Sequence, residues 1–133
     1  MSQTNQNGPL YPVFMCDYTG SIIPHTFLET PNITRGYYPL PKYHYASAFV
    51  TVPGSWKDDT GHPHDPIPAR AYWVDARTLE RVEQEMNWNP KSYELNNGFW
   101  SHSYNCTGWA NQVLTNAGLD SKWGGMGANP WAK

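Results

Sequence analysis

One stretch of the chain holds a single register long enough to constrain a fold. From Asn105 to Gly118, Trp109, Ala110, Val113, Leu114 and Ala117 recur at helical spacing. Asn105 stands where a side chain caps the first free amides, and Gly118 where a helix stops. Cys106 therefore falls in the first turn. There, unpaired amides and the positive end of the helix dipole favour a thiolate over a thiol. This makes Cys106 a candidate nucleophile. The competing reading is a thiol that only fills space on an amphipathic helix.

The rest of the chain must pack on that helix in short pieces, because twelve Pro and eleven Gly punctuate 133 residues. Residues 1–10 read as a flexible lead-in and 11–133 as one domain. Strands are expected at Tyr11–Cys16 and, after a turn at Asp17–Gly20, at Ile22–Thr30. In the second, His25, Phe27 and Glu29 share a face, which sets the imidazole beside apolar neighbours. Gly36–Pro41 reads as a short strand paired to it, and Tyr45–Val52 as a firmer strand ending at Pro53–Gly54. Ser55–Pro66 reads as an exposed polar loop, long enough to border a site. A strand at Ala69–Val74 leads to a helix capped by Asp75 and running to Met86, with Leu79, Val82 and Met86 as its buried stripe. Ser92–Leu95 reads as a short strand or turn, and the tail Trp123–Trp131 shows no period. The expected class is α+β: a small antiparallel sheet carrying the histidine, packed on a helix whose N-terminus carries the cysteine.

A cysteine nucleophile needs a base and donors for the developing oxyanion. Five histidines compete for the first role. His102 precedes the helix too closely, and its ring is expected to point into the connecting loop. His62 and His64 lie in a Pro/Gly-rich loop that suits a surface role better than a held base. His25, on an expected core strand, is the preferred base; the alternative is a core histidine with its hydrogen bonds satisfied. His62-Pro63-His64-Asp65 also invites a zinc reading, but offers no evident fourth ligand or supporting shell. No metal and no cofactor are expected. Cys16 and Cys106 are the two cysteines. A bridge between them would close a loop of about 90 residues and contribute about 4 kcal/mol, and would remove the nucleophile. Free thiols are preferred, since no secretory signal is evident.

Taken together, Pro24-His25-Thr26-Phe27-Leu28, Gly36-Tyr37-Tyr38-Pro39, the helix at Asp75–Met86, Ser92-Tyr93-Glu94-Leu95 and Tyr104-Asn105-Cys106-Thr107-Gly108-Trp109-Ala110 resemble a known pattern. It is that of the circularly permuted papain-like relatives of NlpC-type cell-wall peptidases, which include toxin domains of Rhs and VgrG proteins and free-standing type VI secretion effectors. The resemblance covers about residues 20–119, and in that family the histidine strand precedes the cysteine helix. It implies a permuted papain-like fold, with Cys106 as nucleophile and His25 as general base. The usual orienting residue has no direct counterpart, and His44, Tyr37 and Asn105 are the candidates to orient or support the ring. The implied activity is a cysteine amidase or endopeptidase cutting peptide bonds of bacterial peptidoglycan, as an antibacterial effector.

That reading brings its own partners: a peptidoglycan peptide as substrate, a cognate immunity protein and a secretion-system carrier. Nine Lys and Arg against eleven Asp and Glu, a formal charge of −2, argue against nucleic acid. Long apolar runs are absent, so no stable membrane insertion is expected. The polar start Met1–Pro9 lacks the basic and apolar regions of a signal peptide. Synthesis in the bacterial cytoplasm and action in a target cell's periplasm would follow. Two alternatives use the same residues differently: a lipid acyl hydrolase or acyltransferase with the same Cys–His dyad, and a non-catalytic module whose aromatics hold glycan or protein.

Overall fold

The computed structural model describes residues 8–21, 24–95 and 104–119. Among the described residues six strands form one sheet: β1 (Tyr11–Tyr18), β2 (His25–Glu29), β3 (Thr34–Pro39), β4 (Val52–Asp58), β5 (Arg70–Val74) and β6 (Ser92–Tyr93). Their order is β5-β1-β2-β3-β4-β6, and every neighbouring pair is antiparallel. With them the described residues hold two α-helices, α1 (Ala76–Glu85) and α2 (Cys106–Asn116), in an α+β arrangement.

The central strands carry apolar residues on both faces, because each face is covered. Val13, Met15, Leu28 and Tyr37 join Val82, Met86, Trp109, Val113 and Leu114 in the main core between sheet and helices. Across the other face runs the chain after β4, tied down by Asp65 N–H to Asp17 O at 2.7 Å and Ala69 N–H to Met15 O at 2.8 Å. Phe27 packs beneath it, with His62 at 5.1 Å between ring centroids.

Both helices start as their caps dictate. Asp75 accepts from Thr78 N–H at 2.8 Å, and Asn105 accepts from Gly108 N–H at 2.8 Å. The buried Asn105 also donates to Leu95 O at 2.9 Å, so one side chain fixes the start of α2 to the strand region before it. At the far end Gly118, at φ +88°, lets Leu119 N–H reach Leu114 O at 2.9 Å and Gly118 N–H reach Thr115 O at 3.0 Å.

Three expectations are corrected. Tyr45–Val52 is not a strand: Pro41–Tyr43 and Ala46–Ala48 are 3-10 turns, and β4 begins only at Val52. Pro41 opens the first turn with its fixed φ, and the Ser47 hydroxyl bonds back to His44 O at 2.7 Å, a local alternative to a ladder. Nor do Pro53–Gly54 end a strand. They lie inside β4, where Pro53 pairs with Ser92 of the two-residue β6 and Gly54 with Pro39. Consequently Ser55–Asp58 is ladder rather than loop. Ile22, Ile23, His102 and the Trp123–Trp131 tail lie outside the described residues.

Candidate functional site

β2 begins with His25 and α2 begins with Cys106, and the fold brings these two starts together. The first-turn amides of Cys106 and Thr107 have no carbonyl four residues earlier within the helix. Thr107 Oγ1 donates to Thr26 Oγ1 at 3.0 Å, and Thr26 Oγ1 donates to Asp17 Oδ1 at 3.0 Å. This buried chain of hydroxyls pins the head of α2 to β2 and β1. Cys106 is 2% exposed and forms part of the wall of a cavity of about 690 Å³, shared with His25, Tyr38, His44, Tyr45 and His62.

The third member of the group is Asp59, at the end of β4. Its Oδ2 lies 3.0 Å from His25 Nε2, and its Oδ1 accepts from the Tyr38 hydroxyl at 2.6 Å. Asp59 is only 5% exposed, so the carboxylate acts in a poorly screened setting. Two backbone bonds place it: Asp59 N–H to Thr34 O at 2.9 Å and His62 N–H to Asp59 O at 2.8 Å. The latter closes the turn Asp59-Thr60-Gly61-His62, which Gly61 completes at φ +82°. With Nε2 on Asp59, Nδ1 is the ring nitrogen left for the Cys106 sulfur. The imidazole is also stacked on Tyr38, with centroids 4.4 Å apart, and on Phe27 at 5.6 Å.

These contacts decide the protonation states. Burial pulls the His25 pKa down, but the bonds to Asp59 and Cys106 and their negative charge outweigh it, raising it to about 9. Burial likewise pushes the Cys106 thiol up, and the His25 bond and charge and the Thr26 amide bring it below its ordinary value. Both shifts favour the thiolate–imidazolium form of the pair. Burial and the bond to Asp59 hold the Tyr38 hydroxyl far above the usual phenol range, so it remains a donor. Cys16 behaves in the opposite way. Burial and the neighbouring Glu29 push its thiol up to about 12, and it is a free thiol, as Cys106 is.

The residues expected to orient the imidazole do other work. His44 sits exposed on the cavity wall, between the two 3-10 turns. Tyr37 is buried, with its hydroxyl donating to Pro90 O at 2.5 Å and Ser92 O at 3.0 Å. Asn105 caps α2. The residue that holds the ring, Asp59, was to be found in the Ser55–Pro66 stretch read as an exposed polar loop. A signal was present there: of the adjacent pair before Thr60-Gly61, Asp58 caps the turn through Thr60 N–H at 3.0 Å, which turns Asp59 inward. His62, read as a surface residue, is half-buried with its ring centroid 5.1 Å from that of His25. Its Nδ1 donates to Pro63 O at 2.6 Å and that of His64 to Asp65 O at 2.8 Å, while Asp65 takes the Thr19 hydroxyl. Among the described residues, no three His, Cys, Asp or Glu side chains are grouped to hold a metal ion.

No protein-family model matches the chain, and no curated protein or solved structure matches it. Among the described residues, no helix is long and apolar enough to cross a membrane.

Proposed function

We propose that the protein is a cysteine hydrolase of the permuted papain-like kind, an amidase acting on peptide bonds of bacterial peptidoglycan. The observation that supports it is a buried Cys106–His25–Asp59 relay at a helix N-terminus, on the wall of a cavity. A structural cysteine has no need of a lowered pKa, and a core histidine has no need of both a carboxylate and a thiolate. The chain order, histidine strand before cysteine helix, agrees with the permuted arrangement.

In this mechanism the Cys106 thiolate attacks the amide carbonyl carbon, and the first-turn amides at the head of α2 receive the oxyanion. His25 Nδ1 gives its proton to the leaving nitrogen as the C–N bond breaks, leaving an acyl-enzyme and the free amine. Water then loses a proton to His25 as it attacks the thioester, and the acid leaves as Cys106 regains its thiolate. Asp59 holds the ring and stabilises its charged form throughout, and Tyr38 holds Asp59. As an effector of this kind the protein would be carried by a secretion system into a neighbour's periplasm and opposed by an immunity protein.

A second reading is favoured by one feature. The described cavity wall contains tyrosines, prolines, Leu95, serines and histidines but no carboxylate, lysine or arginine. Apart from the His25–Cys106 pair, a lining of this sort suits the acyl chain of a lipid ester or thioester as well as a peptide. Incubating wild type and Cys106→Ala with purified cell-wall fragments, and separately with phospholipid, separates the two. Mass spectrometry should show new stem-peptide or cross-link fragments with wild type alone. Fatty acid release with unchanged cell-wall products would replace the amidase by the lipid hydrolase, and no Cys106-dependent product from either would overturn both.

A further inference from the structure

The segment joining β3 to β4 leaves an unusual set of side chains in solvent. Tyr45 is 86% exposed, Phe49 85%, Val50 53% and Leu40 39%. Their exposure does not come from a loose backbone. Leu40 N–H is tied to Pro53 O, Val50 N–H to Ala46 O and Leu95 N–H to Ser47 O, each at 3.0 Å, and Ser47 is buried. The two 3-10 turns thus form a pinned lip that holds large apolar side chains outward, an arrangement that costs free energy in water and marks an interaction surface.

Two further observations say what the surface meets. First, it is continuous with the candidate site: His44 and Tyr45 belong to the cavity wall as well as to the lip. Second, the sequence from Thr30 to Lys57 contains no Asp or Glu but carries Arg35, Lys42 and Lys57, in a chain whose formal charge is −2. Arg35 is held elsewhere, against Trp56 and Met86 O. Lys42 lies on the lip, and Lys57 lies over the Tyr38 ring beside the cavity. Just past the lip, the Glu94 carboxylate accepts from the Thr51 hydroxyl at 3.0 Å. Exposed aromatic and aliphatic side chains with flanking cations fit the boundary between lipid headgroups and acyl chains of an anionic bilayer, where apolar burial and attraction to headgroups act together.

We propose that the Leu40–Val50 lip docks the protein reversibly on an anionic membrane surface, with the mouth of the Cys106 cavity held against the bilayer. Phe49 and Val50 enter the interface, Tyr45 lies at its edge, and Lys42 faces the headgroups. Docking of this kind is independent of which bond Cys106 cuts. It concentrates the site where membrane-attached substrate is found.

The test uses the full chain carrying Cys106→Ala, so that no turnover alters the lipid. Co-sedimentation with vesicles of equal parts phosphatidylglycerol and phosphatidylethanolamine should show binding that is much weaker on phosphatidylcholine vesicles. Phe49→Ser with Val50→Ser should weaken it by at least about tenfold. Lys42→Ala should weaken it by about fivefold at low salt. Ile67→Ser, an equally exposed apolar residue outside the lip, should leave it unchanged. Absence of binding to the anionic vesicles, equal binding by the Phe49/Val50 variant, or lip-dependent binding to purified sacculi in preference to vesicles would each overturn the proposal. The Phe49/Val50 variant with Cys106 intact should hydrolyse soluble substrate at the wild-type rate. Failure of hydrolysis in both proteins would count against the proposed chemistry and leave the docking result standing.

Discussion

Gly36 gives the sharpest test of the relay, because it lies in the middle of β3 directly beneath it. A β-carbon placed there would stand 2.3 Å from Asp59 Oδ2 and 2.7 Å from His25 Nε2, the two atoms whose 3.0 Å contact holds the imidazole. The strand cannot step aside, since Gly36 pairs with Phe27 of β2 on one edge and Lys57 of β4 on the other. In Gly36→Ala the side chains must therefore move, the carboxylate by about 0.7 Å or more to reach even a 3.0 Å contact. Misplacement on that scale costs roughly 10²-fold in rate, while overpacking of the strand costs about 1–3 kcal/mol of stability. Two assays read the outcome: product formation by mass spectrometry, and the rate of Cys106 carbamidomethylation, which reports the thiolate whatever the substrate. Both rates should fall while the far-ultraviolet circular dichroism stays that of the folded protein. Wild-type rates in folded Gly36→Ala would refute the reasoning, because the His25–Asp59 contact could then be disturbed without consequence.

Asp59→Ala should lower hydrolysis by roughly 10²- to 10⁴-fold and move the alkaline limb of the pH profile down from about 9 toward the ordinary imidazole value of 6.5, because one of the two groups that raise His25 is gone and only Cys106 remains. The stability linked to His25 follows the same sign. Its folded pKa lies above its unfolded one, so the contribution is complete below 6.5 and disappears as pH rises through about 9, which urea melts across that window would show as a falling midpoint. Asn105→Ala removes the cap of α2 and the bond to Leu95 O, and should cost about 1–3 kcal/mol in urea denaturation. Cys16→Ser should leave activity unchanged. Near neutral pH, a limiting alkylating reagent should label Cys106 in the wild type and spare Cys16, whose thiol is pushed up to about 12; peptide mapping that found Cys16 labelled first would contradict this.

What the sequence made legible was mostly local. The caps Asp75 and Asn105, the stop at Gly118, the apolar stripe of α1 and the placing of His25 on a strand all depend on neighbours a few residues away, and each has its counterpart in the fold. The misread segment, Tyr45–Val52, failed for a physical reason. Its aromatic and β-branched residues suit a strand, but Pro41 and the Ala46-Ser47-Ala48 run let the chain coil into 3-10 turns whose backbone bonds close locally. The same apolar content that suggested a strand is what the lip exposes.

Asp59 escaped for a different reason, which bears on how such a site is built. It lies 34 residues from His25, and its position is set by ladder register rather than by any motif. Leu28 opposite Arg35, and Arg35 opposite Asp58, align three strands so that Asp59, just past β4, falls level with the end of β2, and its carboxylate and the His25 ring meet over Gly36. A slip of one residue in either ladder would turn Asp59 to the other face and leave a buried imidazolium without its carboxylate. Three local constraints then secure the register: the Thr34 carbonyl on Asp59 N–H, the Gly61 turn, and the absence of a side chain at Gly36. A cysteine at a helix start and a histidine on a strand can be read from one sequence because each is defined by its own element. The carboxylate behind the histidine is defined by the sheet as a whole, so it becomes visible only when the strands are paired.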